Sequence, residues 1–248
     1  MTSPVCQQEH VEVPRDAAGR PRPLVHGAWR RPVLPVVAGG AGVLGVLAAR
    51  YAGDGRAGRV DRVLADLVPM HHGPSAVVGD ALVVLGDPVP VAVAMLLLAV
   101  LAWWGRGGRG LALVLVGPPA AMVTTSLVLK PIIGRTRGQE LALPSGHTTA
   151  VASLAVVAAL LVLGSALPGR TRAVAAGGLG LLVAAVGVSL VGRGYHDPTD
   201  VVAALAVVAV VVPLAALTVD AFADLGETAP GGTAGPDDDR TRRLPVLR

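Results

Sequence analysis

Six stretches of this chain run apolar with hardly a charge in them: Val33–Ala49, Val89–Trp104, Leu111–Leu129, Thr148–Leu167, Ala173–Val191 and Val201–Val219. Each is close to the roughly 20 residues that a helix needs to cross a bilayer. In lipid the backbone finds no water to bond, so a crossing segment must satisfy its own N–H and C=O groups, as a helix or a closed barrel does. Barrel strands alternate apolar and polar residues, and these stretches do not. The fold class is therefore all-α: a polytopic membrane bundle of six transmembrane helices. Composition agrees, since 15% of the residues are charged, against roughly 25% in a soluble domain.

The segment between the first two spans reads differently. Val60, Val63, Leu64 and Leu67 recur at helical spacing, with Asp61, Arg62 and Asp66 opposite. That pattern predicts a short interfacial helix on the membrane surface. Ser75–Gly86 is apolar but short and holds Asp80, so it reads as an interfacial or re-entrant piece. Asp80 is expected to line the lipid path or to pair with an Arg of the outer loop. Asp87-Pro88 looks like an N-cap followed by proline at the first helical position of span two. His71 and His72 have no acid nearby at metal-ligand spacing and read as a surface loop.

Three units follow: a basic, disordered N-terminal tail over 1–31, a membrane domain over 32–221, and a second disordered tail over 222–248. The lone Cys6 excludes an internal disulfide. A signal peptide cleaved near "LAARYA" is the alternative for span one; the long basic leader and the even number of spans favour an uncleaved anchor. No internal repeat suggests a transporter with inverted halves.

Basic residues set the orientation. Arg15, Arg20, Arg22, Arg30 and Arg31 precede span one, Arg106 and Arg109 lie between spans two and three, and Arg170 and Arg172 between four and five. Arg240, Arg242, Arg243 and Arg248 follow span six. Six spans bring all of these to one side, which the positive-inside rule makes the cytoplasm. Trp29, Tyr51, Trp103, Trp104 and Tyr195 sit at span ends, as interfacial aromatics do. The net charge of +4 thus reflects topology. No basic run is interleaved with aromatics, so nucleic acid is not an expected partner.

Three polar islands then stand out: "LKPIIGRTRG" at 129–138, "LPSGHTT" at 143–149 and "SLVGRGYHDPTD" at 189–200. In a six-span layout all three reach the non-cytoplasmic face and can converge. Lys130 is the only lysine beside twenty arginines, which marks a place for a compact ammonium. Arg135 and Arg137 follow it, with only Glu140 near in sequence to offset three cations; a bound anion such as phosphate would do so. Pro144 stops a preceding helix and Ser145 caps the next, whose first N–H groups and dipole favour an anion, with Gly146 allowing close approach. His147 falls in that first turn. Asp200 could be the capping-box acid of span six, or the carboxylate that fixes the tautomer of His196 as a nucleophile. Cations, a helix N-terminus and two histidines are what phosphoryl transfer requires. No clustered carboxylates suggest a metal.

Together the islands resemble the signature of the type 2 phosphatidic acid phosphatase family, whose active-site pattern is shared with vanadium haloperoxidases. That pattern is Lys, six residues, Arg-Pro; then Pro-Ser-Gly-His; then Ser-Arg, five residues, His, three residues, Asp. Lys130 and Arg137 match the first, with Gly138 where proline is usual. Pro144, Ser145, Gly146 and His147 match the second, and Ser189, His196 and Asp200 the third. Leu190 stands where the family has Arg; Arg193, one helical turn later, is the candidate substitute.

The resemblance covers roughly residues 33–220. It implies that His196 attacks phosphorus, Asp200 orients it, and His147 protonates the leaving oxygen. Lys130, Arg137, Ser145, Gly146 and Arg193 would hold phosphate oxygens. Water would then hydrolyse the phosphohistidine, with no metal or other cofactor. The implied substrates are lipid phosphates and pyrophosphates drawn from the bilayer: phosphatidate, phosphatidylglycerophosphate or a polyprenyl pyrophosphate. The implied place is the plasma membrane, with both termini cytoplasmic and the site outside. Two alternatives stay open: a phosphotransferase with the same pocket, and an inactive relative serving as a membrane scaffold or transport component. The oligomeric state is not legible.

Overall fold

Gly107 decides how the helices count. The structure, a computed structural model, describes residues 23–25 and 27–228. Apolar helical sequence runs unbroken from Pro88 to Ile133, 46 residues. Straight, that would reach about 69 Å, more than twice the hydrocarbon core. Gly107, however, has φ 61° and ψ −148°, a combination essentially restricted to glycine. A Cβ placed on Gly110 would lie 2.8 Å from the carbonyl oxygen of Ala102, whereas eight residues of straight helix separate such positions by about 12 Å. The chain therefore folds back at Gly107, and this stretch supplies spans two and three.

The elements are α1 (Gly27–Tyr51), α2 (Arg59–Asp66), α3 (Gly73–Val84), α4 (Pro88–Val123, in two limbs about Gly107), a π-helical turn (Thr124–Leu129), α5 (Lys130–Ile133), the strand pair β1 (Thr136–Arg137) and β2 (Glu140–Leu141), α6 (Gly146–Leu163), α7 (Gly169–Gly192) and α8 (Pro198–Thr228). The molecule is an all-α, multi-pass membrane bundle. Helices α1 and α8 overrun the expected 32–221 domain at both ends; the remainder of the two tails, with Cys6 and His10, lies outside the described residues.

The core lies where the second limb of α4, α6 and α8 meet: Leu113 and Val114 against Ala152, Val157, Val208, Val212 and Ala216, all buried. Small residues let these backbones approach, the usual way of packing helices where lipid offers no hydrophobic drive. A Cβ on Gly40 would come 3.0 Å from the Ala206 carbonyl, which shows how closely α1 lies on α8. Leucines and valines such as Leu34, Val89, Leu127 and Leu181 face outward, as a lipid solvent allows.

At one end of the bundle Arg106, Arg109 and Arg172 gather. Arg106 donates to the Gly164 carbonyl at 2.9 Å and Arg172 to Leu163 at 2.8 Å. Buried Asp220 accepts from the N–H groups of Leu24 and Val25, and Arg109 pairs with Asp224 at 3.0 Å. The three polar islands lie at the opposite end, with α6 running from one to the other.

Two surface expectations change. Helix α2 forms with Val60, Val63, Leu64 and Leu67 exposed on one face, but Asp61 on the other is fully buried. Tyr51 ends α1 as expected, yet is buried rather than interfacial: its ring lies 4.1 Å beneath the Arg135 guanidinium. Both changes have one cause, described next.

Candidate active site

Arg135 is the largest fully buried side chain among the described residues. It sits in the turn between α5 and β1. Its Nη1 donates to Thr199 Oγ1 at 2.6 Å and Asp200 Oδ1 at 2.8 Å, and its Nη2 to Asp61 Oδ2 at 3.0 Å and Asp197 Oδ2 at 2.8 Å. One cation thus joins three carboxylates from two regions of the chain. This revises the electrostatics of the first island. Its charge is offset by acids remote in sequence, and Arg135 itself is committed to the protein. Arg137, half exposed, also donates to Asp197.

Asp200, fully buried, is shared further. Its Oδ2 accepts from the Asp197 N–H at 3.0 Å and lies 3.3 Å from His196 Nδ1. The capping-box acid and the histidine partner are therefore the same carboxylate, because its two oxygens have room for Arg135, a backbone N–H and an imidazole. The pairing assigns the proton to Nδ1 and leaves the lone pair on Nε2.

The second island forms as its residues dictate. Ser145 is the N-cap of α6, its Oγ accepting from Thr148 N–H at 3.3 Å. Its own N–H donates to the Asp200 carbonyl at 3.1 Å, which ties the second island to the third. Thr149 Oγ1 bonds Ser145 O at 2.8 Å and lies 3.0 Å from Thr125 Oγ1 in the π turn; the Ala142 N–H bonds the Arg135 carbonyl at 2.9 Å. All three islands are thereby connected. The space a Cβ of Gly146 would occupy is open. The π turn directly precedes Lys130, whose neighbour Pro131 has no N–H to continue a regular ladder. Thr148 Oγ1 and Ser189 Oγ are buried without a hydrogen-bond partner.

His147 reaches Asp87: Nε2 to Oδ1 is 3.0 Å. Arg193 reaches Asp80: Nε to Oδ1 is 2.6 Å and Nη2 to Oδ2 is 3.2 Å, with Nη1 donating to the Met70 carbonyl at 2.7 Å. Of the two expectations for Asp80, pairing with an outer-loop Arg is the one found. Leu190, in the position of the family arginine, is fully buried among Val83, Val151 and Val186.

Sequence reasoning missed Arg135 as a hub with Asp61 and Asp197 as its companions, and Asp87 as the partner of His147. For Asp61 the available signal was an acid on a short surface helix just after span one. For Asp87 it was position, at the start of a span whose end faces the second island.

Burial of Asp61 would by itself raise its pKa, but hydrogen bonds from Thr199, Gly58 and Arg135 outweigh that and hold it below the usual carboxylate value.

No protein-family model matches the chain, and neither does a search of curated proteins. Among solved structures, the fold is similar to a transmembrane PAP2-type phosphatidylglycerolphosphate phosphatase from Bacillus subtilis. The TM-score is 0.58 at 20% identity, covering 75% of this chain and 96% of that one. The shared fold is the one that the resemblance of the three islands implies.

Proposed function

We propose that this protein is an integral membrane phosphatase that removes phosphate from a lipid phosphate or pyrophosphate at the non-cytoplasmic face of the plasma membrane. The observation that carries the reading is the His196–Asp200 pair: a buried, arginine-anchored carboxylate on Nδ1, one backbone hydrogen bond from the N-cap of α6. The fold shared with a lipid phosphatase and the three matched islands support it.

In this reading Nε2 of His196 attacks phosphorus and the bond to the leaving oxygen breaks, with a proton from His147 completing the alcohol or phosphate that departs. The imidazolium-like phosphohistidine is stabilised by Asp200. Water then attacks phosphorus, the P–N bond breaks, His147 recovers a proton from the water, and inorganic phosphate leaves. Lys130, Arg137, the Ser145 hydroxyl and the Gly146 N–H neutralise the equatorial oxygens. Arg193 contributes through the two N–H groups that Asp80 and Met70 leave it. These residues need no metal for the chemistry described. The substrate class extends from phosphatidate and phosphatidylglycerophosphate to polyprenyl pyrophosphates.

The test is phosphate release from a panel of these lipids by detergent-purified protein. Wild type releases phosphate without an added acceptor, and His196→Ala lowers the rate by about 10³-fold or more. Folded protein inactive on every lipid, or an unaffected variant, defeats the reading; a phosphate ester formed on an added alcohol, with no inorganic phosphate released, makes it a phosphotransferase.

A further inference from the structure

We infer that Asp87 is a positioning residue that holds His147 aimed at the leaving oxygen. This rests on the reading of His147 as the acid.

Asp87 occupies the N-cap position of α4, with φ −71°, ψ 155° and Pro88 after it. A carboxylate there normally accepts from the first N–H groups of the helix. This one makes no such bond; its Oδ1 lies instead 3.0 Å from Nε2 of His147. The backbone that carries it is locked. The N–H groups of Leu85, Gly86 and Asp87 bond the carbonyls of Leu82, Val83 and Val84 at 3.2, 2.9 and 3.0 Å. The preceding residue must be glycine. A Cβ on Gly86 would lie 2.7 Å from both Cβ and Cδ2 of His147, so the turn is laid flat against the imidazole. Helix α3, which delivers the turn, is fastened about one turn earlier by Asp80 to Arg193.

A capping residue has thus been diverted to a histidine. With Nε2 donating to Asp87, Nδ1 is the nitrogen left to face the leaving oxygen. Asp87 is the carboxylate bonded to His147.

The experiment uses the full chain in detergent and compares an alkyl phosphate lipid with p-nitrophenyl phosphate, whose leaving group needs no proton. Asn is as good an N-cap as Asp, so Asp87→Asn keeps the capping option, and its unfolding midpoint reports any structural loss. For the lipid, kcat/KM of Asp87→Asn falls about 10-fold or more. For p-nitrophenyl phosphate, kcat/KM stays within about 2-fold. Asp87→Glu restores part of the lipid activity. Equal losses on both substrates, or an unchanged rate on the lipid, overturn the inference. His147→Ala is run beside it. If His147→Ala shows the leaving-group-selective loss and Asp87→Asn does not, only the role of Asp87 falls. If His147→Ala is not selective, the acid assignment falls with it.

Discussion

Arg135 carries one positive charge into a space that holds three carboxylates, Asp61, Asp197 and Asp200. Each ion alone would be costly to bury, and the site is tenable only because the fork of the guanidinium gives every charge a bonded partner. Tyr51 beneath the cation adds a stacking contact. Removing the arginine leaves three acids facing one another without water. Arg135→Ala should therefore destabilise the protein by about 3–5 kcal/mol, seen as a lowered unfolding midpoint in detergent. Arg135→Lys should not restore it, since a single ammonium cannot span the partners. At this scale the candidate site was partly legible. His147, His196 and Asp200 stand out in the sequence because phosphoryl transfer would call for those residue types at those spacings. Arg135 was seen only as one more cation, because the acids that neutralise it lie 62 to 74 residues away in the chain.

Helix α2 shows what an element can and cannot reveal. Its apolar face was readable from the spacing of Val60, Val63, Leu64 and Leu67, and that face is exposed. The polar face was read as solvated, yet Asp61 accepts from Arg135, from the Thr199 N–H at 3.0 Å and from the Gly58 N–H at 3.1 Å. Asp61 is thus the tether that fastens α2 to the start of α8. Its pKa in the folded protein lies below its ordinary 3.8, so the folded state binds that proton less readily than the unfolded one. The stability it supplies is fully present above the ordinary value and is lost as pH falls through the depressed one. Acidification below about pH 4 should loosen α2, raising hydrogen exchange across residues 58–66. In Asp61→Asn this exchange should already be raised at neutral pH and should lose its acid dependence. Equal acid response in wild type and variant would remove the tether.

Across the whole molecule, two kinds of charge are kept at opposite ends. The Arg135 network and both histidines lie at one end; Arg106, Arg109, Arg172 and Asp220 lie at the other, where residues 23–25 also dock. The positive-inside rule leads us to propose that the histidine end faces away from the cytoplasm. In a Cys6→Ser background, a membrane-impermeant maleimide applied to intact cells should label Glu140→Cys and spare Arg170→Cys until the membrane is opened. The reverse pattern would invert the proposed orientation.

The crossings and the polar islands were determined by sequence alone. Insertion into lipid responds to the hydropathy of one contiguous segment, and a helix satisfies its own backbone, so nothing distant enters. The N-cap at Ser145 was equally local. Only the tertiary structure decided which acid meets which base. Asp200, already placed beside His196 by its spacing, also met Arg135, Asp87 turned from its helix to His147, and Asp80 took Arg193, because those pairings depend on which helix ends share a face. The reason is electrostatic: a buried charge must find a partner wherever packing places one, and separation along the chain does not reveal that place.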